Sequence, residues 1–168
     1  MNSGILIREL EASEADTAKS LIVSVAASVI SWPGSFESFQ QELDGRNIFR
    51  DMVDITAHYT TRGGLFLGAF DQDRLVGTGA VWPLEGGQCE LKRMWLLPEY
   101  WGRGIGYAVI QRLFAHARKQ GWRSMYLCTD RIQERAINFY HRLGFIDTTE
   151  RQDVCGNGIS MVLSLEGA

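Results

Sequence analysis

The segment from Arg93 to Gly106 limits what this chain can build more than any other. Met94-Trp95-Leu96-Leu97 is an apolar, strand-like run that stops at Pro98. Glu99, Tyr100 and Trp101 lead into Gly102-Arg103-Gly104-Ile105-Gly106, and from Ile105 the apolar spacing becomes helical. A strand therefore feeds a glycine-rich turn that opens a helix. A helix start carries unpaired N–H groups and a partial positive charge, and glycines let an anion approach that backbone closely. The turn is suited to a phosphate or pyrophosphate.

Two familiar nucleotide-binding patterns are excluded. The dinucleotide fingerprint G-x-G-x-x-G fails, because its third glycine falls on Tyr107 when counted from Gly102 and on Val109 when counted from Gly104. No lysine followed by serine or threonine closes a Walker-type loop.

The rest of the chain predicts alternating elements around this turn. Ile5 to Leu10 reads as a strand, and Ser13 with Asp16 as the start of a helix running to about Ile30. A second helical region covers Phe36 to Tyr59, with a break near Gly45. Leu65–Phe70 and Arg74–Trp82 form a hairpin across Asp71-Gln72-Asp73. Cys89 to Leu97 is the strand before the glycine turn, and Gly104 to Gln120 the helix after it, ended by Gly121. Ser124 to Thr129 is a short buried strand, and Ile132 to Leu143 a helix stopped by Gly144. Phe145–Val154 and Ile159–Leu165 close the chain as a hairpin. The fold class is mixed α/β, read as one domain over residues 1–168.

With 168 residues, a formal charge of −3 and no basic tail, the chain is not built as a general nucleic-acid binder. The apolar run Leu21 to Ile30 is too short to span a bilayer, and no leader-like segment opens the chain. Cys89, Cys128 and Cys155 are odd in number, widely spaced and form no C-x-x-C pair. They read as free thiols in a reducing compartment, which points to the cytoplasm. Asp54 and His58 stand one turn apart on a possible helix, while His116 and His141 stand alone, and no spacing suggests a metal site. A Cys128–His141 nucleophile pair has no local signature. Trp32, Phe36, Phe39, Tyr59, Phe66 and Trp82 are expected in the core.

A second motif joins the first. Asn138-Phe139-Tyr140 followed by Gly144-Phe145 gives N-F-Y-x-x-x-G-F, and Pro98 to Gly106 gives P-x-x-x-G-x-G-x-G. Together, from about Leu65 to Phe145, they resemble the Gcn5-related N-acetyltransferase (GNAT) superfamily. The resemblance implies a central twisted mixed sheet of six to seven strands with helices on both faces. It implies that the strand Glu90–Leu97 splays from the strand Met125–Thr129, with the pantetheine arm of acetyl-CoA on the backbone of Met94, Trp95 and Leu96. The pyrophosphate then lies on the amides of Trp101, Gly102, Arg103, Gly104, Ile105 and Gly106, and Asn138 contacts the cofactor. Trp101 departs from the pattern, which usually has glutamine or arginine there. Tyr140 sits where the family places a tyrosine near the cofactor sulfur, and Glu90 where one branch carries a catalytic glutamate. An amine attacks only when neutral and a thiolate leaves best when protonated. Glu90 is thus expected as the base, direct or through water, Tyr140 as the acid, and a backbone N–H near Trp95 or Leu96 as the oxyanion donor. The expected activity is acetyl transfer to a primary amine in a ternary complex without a metal; the alternative is a non-catalytic acyl-CoA-binding domain of the same fold. The acceptor is a small molecule or a protein amine, and a homodimer is one open state.

Overall fold

A computed structural model describes residues 4–167. The elements in order are β1 (Ile5–Glu9), α1 (Ala15–Val29), α2 (Phe36–Gly45), α3 (Ile55–His58), β2 (Leu65–Asp71), β3 (Arg74–Pro83), β4 (Gln88–Leu96), α4 (Ile105–Lys119), β5 (Ser124–Thr129), α5 (Glu134–Arg142), β6 (Ile146–Asp147), α6 (Gln152–Cys155) and β7 (Ile159–Ser164). They form a seven-stranded sheet in the order β1-β2-β3-β4-β5-β7-β6. β4–β5 is parallel and the other neighbouring pairs are antiparallel. A parallel pair needs a long crossover, and α4 supplies it.

Strand alternation divides the core. Phe66, Phe70, Leu75 and Ala80 face α1 and α2, where they pack with Leu21, Ile22 and Phe39. Their neighbours Leu67, Ala69, Val76 and Val81 face α4, where they pack with Val109, Ile110 and Leu113. The period of two in the strands thus places helices on both faces of the sheet. The β2–β3 hairpin closes on Gln72 and Asp73, with Asp71 opposite Arg74 and Gln72 in the left-handed region at φ 54°.

Two features of β4 create an opening. β4 pairs with β5 only at Gln88–Ser124, Cys89–Met125 and Glu90–Tyr126, and then diverges. On its other side the register slips: Thr78 lies opposite Trp95 and Ala80 opposite Lys92, so β4 carries one extra residue. Arg93, at φ 56°, is the residue that takes up the bulge. The strand turns away from β5 where the chain leaves Glu90.

Several expectations need correction. α1 is preceded by a 3₁₀ turn, Ala12–Glu14, and the Glu14 carboxylate accepts the Glu11 N–H at 2.8 Å, so Ser13 and Asp16 do not cap it. The region Phe36–Tyr59 is not one helix: between α2 and α3 the chain makes a 3₁₀ turn, Arg50–Met52, that buries Asp51. The strand expected from Phe145 to Val154 shrinks to β6, and the chain then coils into α6. Phe36 lies at the surface, 38% exposed, and not in the core. The largest correction concerns the cysteines. Cys128 and Cys155 form a disulfide, with Cα atoms 5.4 Å apart, and only Cys89 is a free thiol. Free thiols therefore no longer support a reducing compartment. The bond arises because the α6 turn brings Cys155 beside the end of β5, a proximity that sequence spacing does not show.

Candidate active site

The divergence of β4 from β5 opens two cavities. One, of about 500 Å³, follows the open edge of β4 to the start of α4, and is lined by Met94, Trp95, Leu96, Trp101, Gly102, Gly104, Ile105 and Gly106 among others. The other, of about 690 Å³, lies on the side of Glu90 and the chain around Cys155–Gly158. Met94, Trp95, Gln133 and Tyr140 line both. Eight of the expected cofactor-side residues are thus brought together along one groove.

Gly104 is the residue that precedes α4, at φ 78° and ψ 2°, and a Cβ there would meet nothing within 4 Å. The glycine is required by the left-handed backbone, and the space above it is open. α4 carries no acidic residue in its first turn, and helix geometry leaves the N–H groups of Ile105, Gly106 and Tyr107 without intrahelical acceptors. This is an anion-receptive end on a 15-residue helix.

Three expected contributors behave differently from expectation. Arg103 rests on the Tyr100 ring, 4.7 Å from its centroid, and is not part of the groove lining. Trp101 donates its single side-chain N–H to the Leu96 carbonyl at 2.9 Å, so that donor is committed within the protein. Asn138 is exposed on α5 and lines neither cavity. Sequence reasoning missed Arg135, which lines the groove from α5 and holds its guanidinium 4.7 Å over the Trp101 ring. No local signal marks it. It acquires meaning only once α5 packs beside the glycine turn.

Tyr140 is buried at the junction of the cavities, edge-on to Phe145 at 5.7 Å. Burial raises its pKa well above the usual tyrosine value, so the hydroxyl stays protonated. Phe139, Tyr140 and Phe145 pack together, so the tyrosine ring belongs to the core while its edge lines both cavities.

Glu90 is buried and lines the larger cavity. It faces Trp82 across the sheet, and the Trp82 indole N–H donates to Oε2 at 2.7 Å. Arg151 approaches the same oxygen at 3.6 Å. Both contacts fall on Oε2, and Oε1 carries no hydrogen bond from the described residues. One oxygen is anchored and the other has no such partner. The Trp82 ring also carries the Lys92 ammonium at 4.3 Å and stacks on His58 at 4.6 Å. Burial first, helped by nearby Lys92, Arg62 and Arg50, lowers the His58 pKa, although Asp51 opposes the shift.

The β4 bulge is fastened from below. Arg93 Nε donates to Asp51 Oδ2 at 3.0 Å and Nη2 donates to the Ile48 carbonyl at 2.6 Å; Nη2 also reaches Asp51 Oδ1, and Tyr59 donates to Asp51 Oδ2. Burial pushes the Asp51 carboxyl up, but the Arg93 bonds and charge and the Tyr59 hydroxyl outweigh it and hold the pKa below its ordinary value. Sequence reading gave Asp51 no role. The weaker constellations resolve into structure: Asp54 caps α3 by accepting the Ala57 N–H at 2.9 Å, His141 pairs with Asp147 at 2.8 Å, and the disulfide removes Cys128 as a nucleophile.

A mixed sheet splayed beside its fourth strand, with a glycine turn and helix start at the mouth of the gap, defines the architecture of acetyltransferases that bind coenzyme A. The sequence agrees: residues 27–145 match the acetyltransferase (GNAT) family, and the chain belongs to that family. Rat N-acetyltransferase 8 is 32% identical over 106 residues, covering 60% of this chain and 48% of that protein. The chain spans about half the length of the first curated relatives it matches. A GNAT-family acetyltransferase from Staphylococcus aureus Mu50 superposes with a TM-score of 0.82 at 20% identity, over 97% of this chain and all of the other. The PaiA N-acetyltransferase of Thermoplasma acidophilum, solved with coenzyme A, gives 0.77 at 23% identity over 96% and 99% of the two chains. At these identities the structural likeness speaks for the fold.

Proposed function

We propose that the protein transfers an acetyl group from acetyl-CoA to a primary amine by direct attack in a ternary complex. The observation that carries this reading is the meeting of two cavities at Met94, Trp95, Gln133 and Tyr140, with Glu90 on one side and the glycine turn on the other. The residues present fit acetyl-CoA, which when bound supplies the activated acyl group. The open edge of β4 at Met94, Trp95 and Leu96 faces the groove, and the amides from Trp101 to Gly106 meet the pyrophosphate. Arg135 lends the positive charge that Trp101 cannot, Arg103 remains at the rim, and Asn138 touches whatever part of the cofactor projects from the groove.

Glu90 takes the ammonium proton through the free Oε1, directly or through one water. A backbone N–H near Trp95 or Leu96 faces the carbonyl oxygen as charge builds on it. Tyr140, held protonated by burial, returns a proton to the departing sulfur. The acceptor is a small-molecule or protein amine. Among the described residues no helix is long and apolar enough to cross a membrane; a cytoplasmic setting is part of the proposal.

The test is a panel of amines with acetyl-CoA, reading free thiol, alongside thermal shifts with acetyl-CoA, NAD and ATP. Acetyl-CoA alone should raise the melting temperature, since a ligand specific to the native state stabilises it. Stabilisation by NAD or ATP and not by acetyl-CoA overturns the reading. Binding of acetyl-CoA with no thiol release from any amine leaves the non-catalytic binding domain.

A further inference from the structure

We propose that Arg151 is a positioning residue for Glu90, presented by the Cys128–Cys155 disulfide, so that use of the acceptor amine depends on that bond being intact. The proposal rests on the transferase reading above for its kinetic test and on geometry for its existence.

Arg151 is absent from the lining of the larger, Glu90-side cavity, which on this reading takes the acceptor, yet its Nη2 lies 3.6 Å from Glu90 Oε2. It acts on the carboxylate from outside the space an acceptor would fill. Together with the Trp82 N–H it fixes Oε2 and so decides where Oε1 points. The guanidinium also lies 5.9 Å from the centroid of the Tyr126 ring, and Tyr126 is the residue paired with Glu90 across the β4–β5 junction.

The backbone that delivers Arg151 is in an unfavourable conformation. Arg151 has φ 59° and ψ 16°, the left-handed region that a non-glycine residue occupies only when its surroundings impose it. The contacts that hold the loop come from β5 and β7 as well as from the loop itself. Ser160 Oγ donates to the Glu150 carbonyl at 2.6 Å, the Tyr126 hydroxyl donates to the Glu150 carboxylate, and Val154 N–H donates to the Arg151 carbonyl at 3.1 Å. The covalent member of this set is the disulfide, which ties the last residue of α6 to β5. α6 is a single turn of four residues and contributes no buried side chain. A turn this short has little helical stability of its own. The tether is therefore the one covalent constraint on it, beside the hydrogen bonds to Glu150 and those of Gln152 to the Gly156 and Gly158 carbonyls.

Both cysteines line the acceptor-side cavity, and Cys128 is exposed. A dithiol can attack at Cys128, first forming a mixed disulfide and releasing Cys155 as a thiol. Its second thiol then releases Cys128. The dithiol loses two electrons and two protons and becomes a disulfide, while the two protein thiols gain them. Cys89 takes no part. It is buried, and burial pushes its pKa up to about 12, which leaves almost no reactive thiolate at neutral pH. In a reducing compartment, an exposed protein disulfide is characteristically transient or redox-sensing.

The experiment compares oxidised and dithiothreitol-reduced wild type, with the bond state verified by mass. Turnover is followed by loss of thioester absorbance, so that added thiol does not interfere. Arg151→Gln, Arg151→Lys and the double variant Cys128→Ser/Cys155→Ser complete the set. Reduction should raise the acceptor KM or lower kcat by about tenfold, equivalent to about 1.4 kcal/mol, with the acetyl-CoA KM unchanged. Arg151→Gln should show the same defect when oxidised, Arg151→Lys should recover much of it, and reducing Arg151→Gln should add nothing further. If the two effects multiply instead, the bond does not act through Arg151 and the coupling is refuted. Equal kinetics in the two redox states of wild type also refutes it. Should the double serine variant not fold, reduced wild type with an unchanged circular dichroism spectrum serves in its place. Hydrogen exchange over residues 148–158, measured without any substrate, should lose protection on reduction. That readout separates failure of this proposal from failure of the transferase reading.

Discussion

Asp51→Asn tests whether the buried ion pair under β4 holds the site open. The substitution is nearly isosteric, so packing is preserved while the Arg93 guanidinium loses its counter-charge. Asp51 is only 4% exposed, and the Arg93 side chain is 12% exposed, so water cannot replace the lost partner. Stranding one member of a buried pair costs about 3–5 kcal/mol. Asn retains one acceptor for the Arg93 and Tyr59 donors, which places the expected loss near the lower end. In a chain of this size each kcal/mol shifts the melting temperature by about 2–4 °C, so the variant should melt roughly 6–12 °C lower. The pH dependence follows from the sign of the shift. Asp51 is depressed in the folded state, so its stabilisation is fully present above the unfolded carboxylate pKa of about 3.9. It disappears as pH falls through the lower folded value. Urea titrations of wild type and variant should therefore differ most at neutral pH and converge on acidification. A difference below about 1 kcal/mol at pH 7, or one that ignores pH, would show that burial cost and ion pairing cancel and that the bulge is held by other contacts.

Three further outcomes test the site. Gly104→Asp places a carboxylate where the α4 N–H groups point, and should weaken acetyl-CoA binding, by calorimetry, at least tenfold more than Gly104→Asn, which carries the same left-handed backbone strain without the charge; equal affinity of the two folded variants removes the phosphate site. Tyr140→Phe preserves the ring packing against Phe145 and deletes only the hydroxyl, so turnover should fall roughly 10²-fold with the melting temperature little changed. Equal turnover would make Tyr140 a core residue. Glu90→Gln should be slow at neutral pH and recover as pH rises and more amine is already neutral, with acetyl-CoA affinity close to wild type; identical pH–rate profiles for variant and wild type exclude Glu90 as the base.

The features legible in the chain were those written in neighbouring residues. The β2–β3 hairpin, the strand-to-helix passage from Met94 to Gly106, α4, β5 and α5 each follow from apolar period and turn chemistry within a few positions. The family motifs occupy the same short stretches, so they led to Met94, Trp95, Leu96, Gly102, Gly104, Ile105 and Gly106 along one groove, to Tyr140 where that groove meets the larger cavity, and to Glu90 within the larger cavity. Where local signals were ambiguous, boundaries moved. The Phe36–Tyr59 region looks helical by period, but the chain breaks between α2 and α3 in the turn that brings Asp51 to Arg93, 42 residues away. Phe145–Val154 looks like a strand, but the chain turns at Arg151 to meet its tertiary contacts.

Sequence alone was sufficient for most of the order of elements, the glycine turn and the family, because propensities, caps and glycine conformations act over one or two turns of chain. Tertiary structure decided everything that depends on pairs distant in sequence. It closed Cys128 onto Cys155 across 27 positions, where spacing had suggested free thiols. It committed the Trp101 N–H to Leu96 and set Arg135 above the Trp101 ring. It anchored one oxygen of Glu90 between Trp82 and Arg151 and left the other free. Bonds, ion pairs and stacking act only at contact distance, and which distant residues come into contact is set by how the sheet and its helices pack.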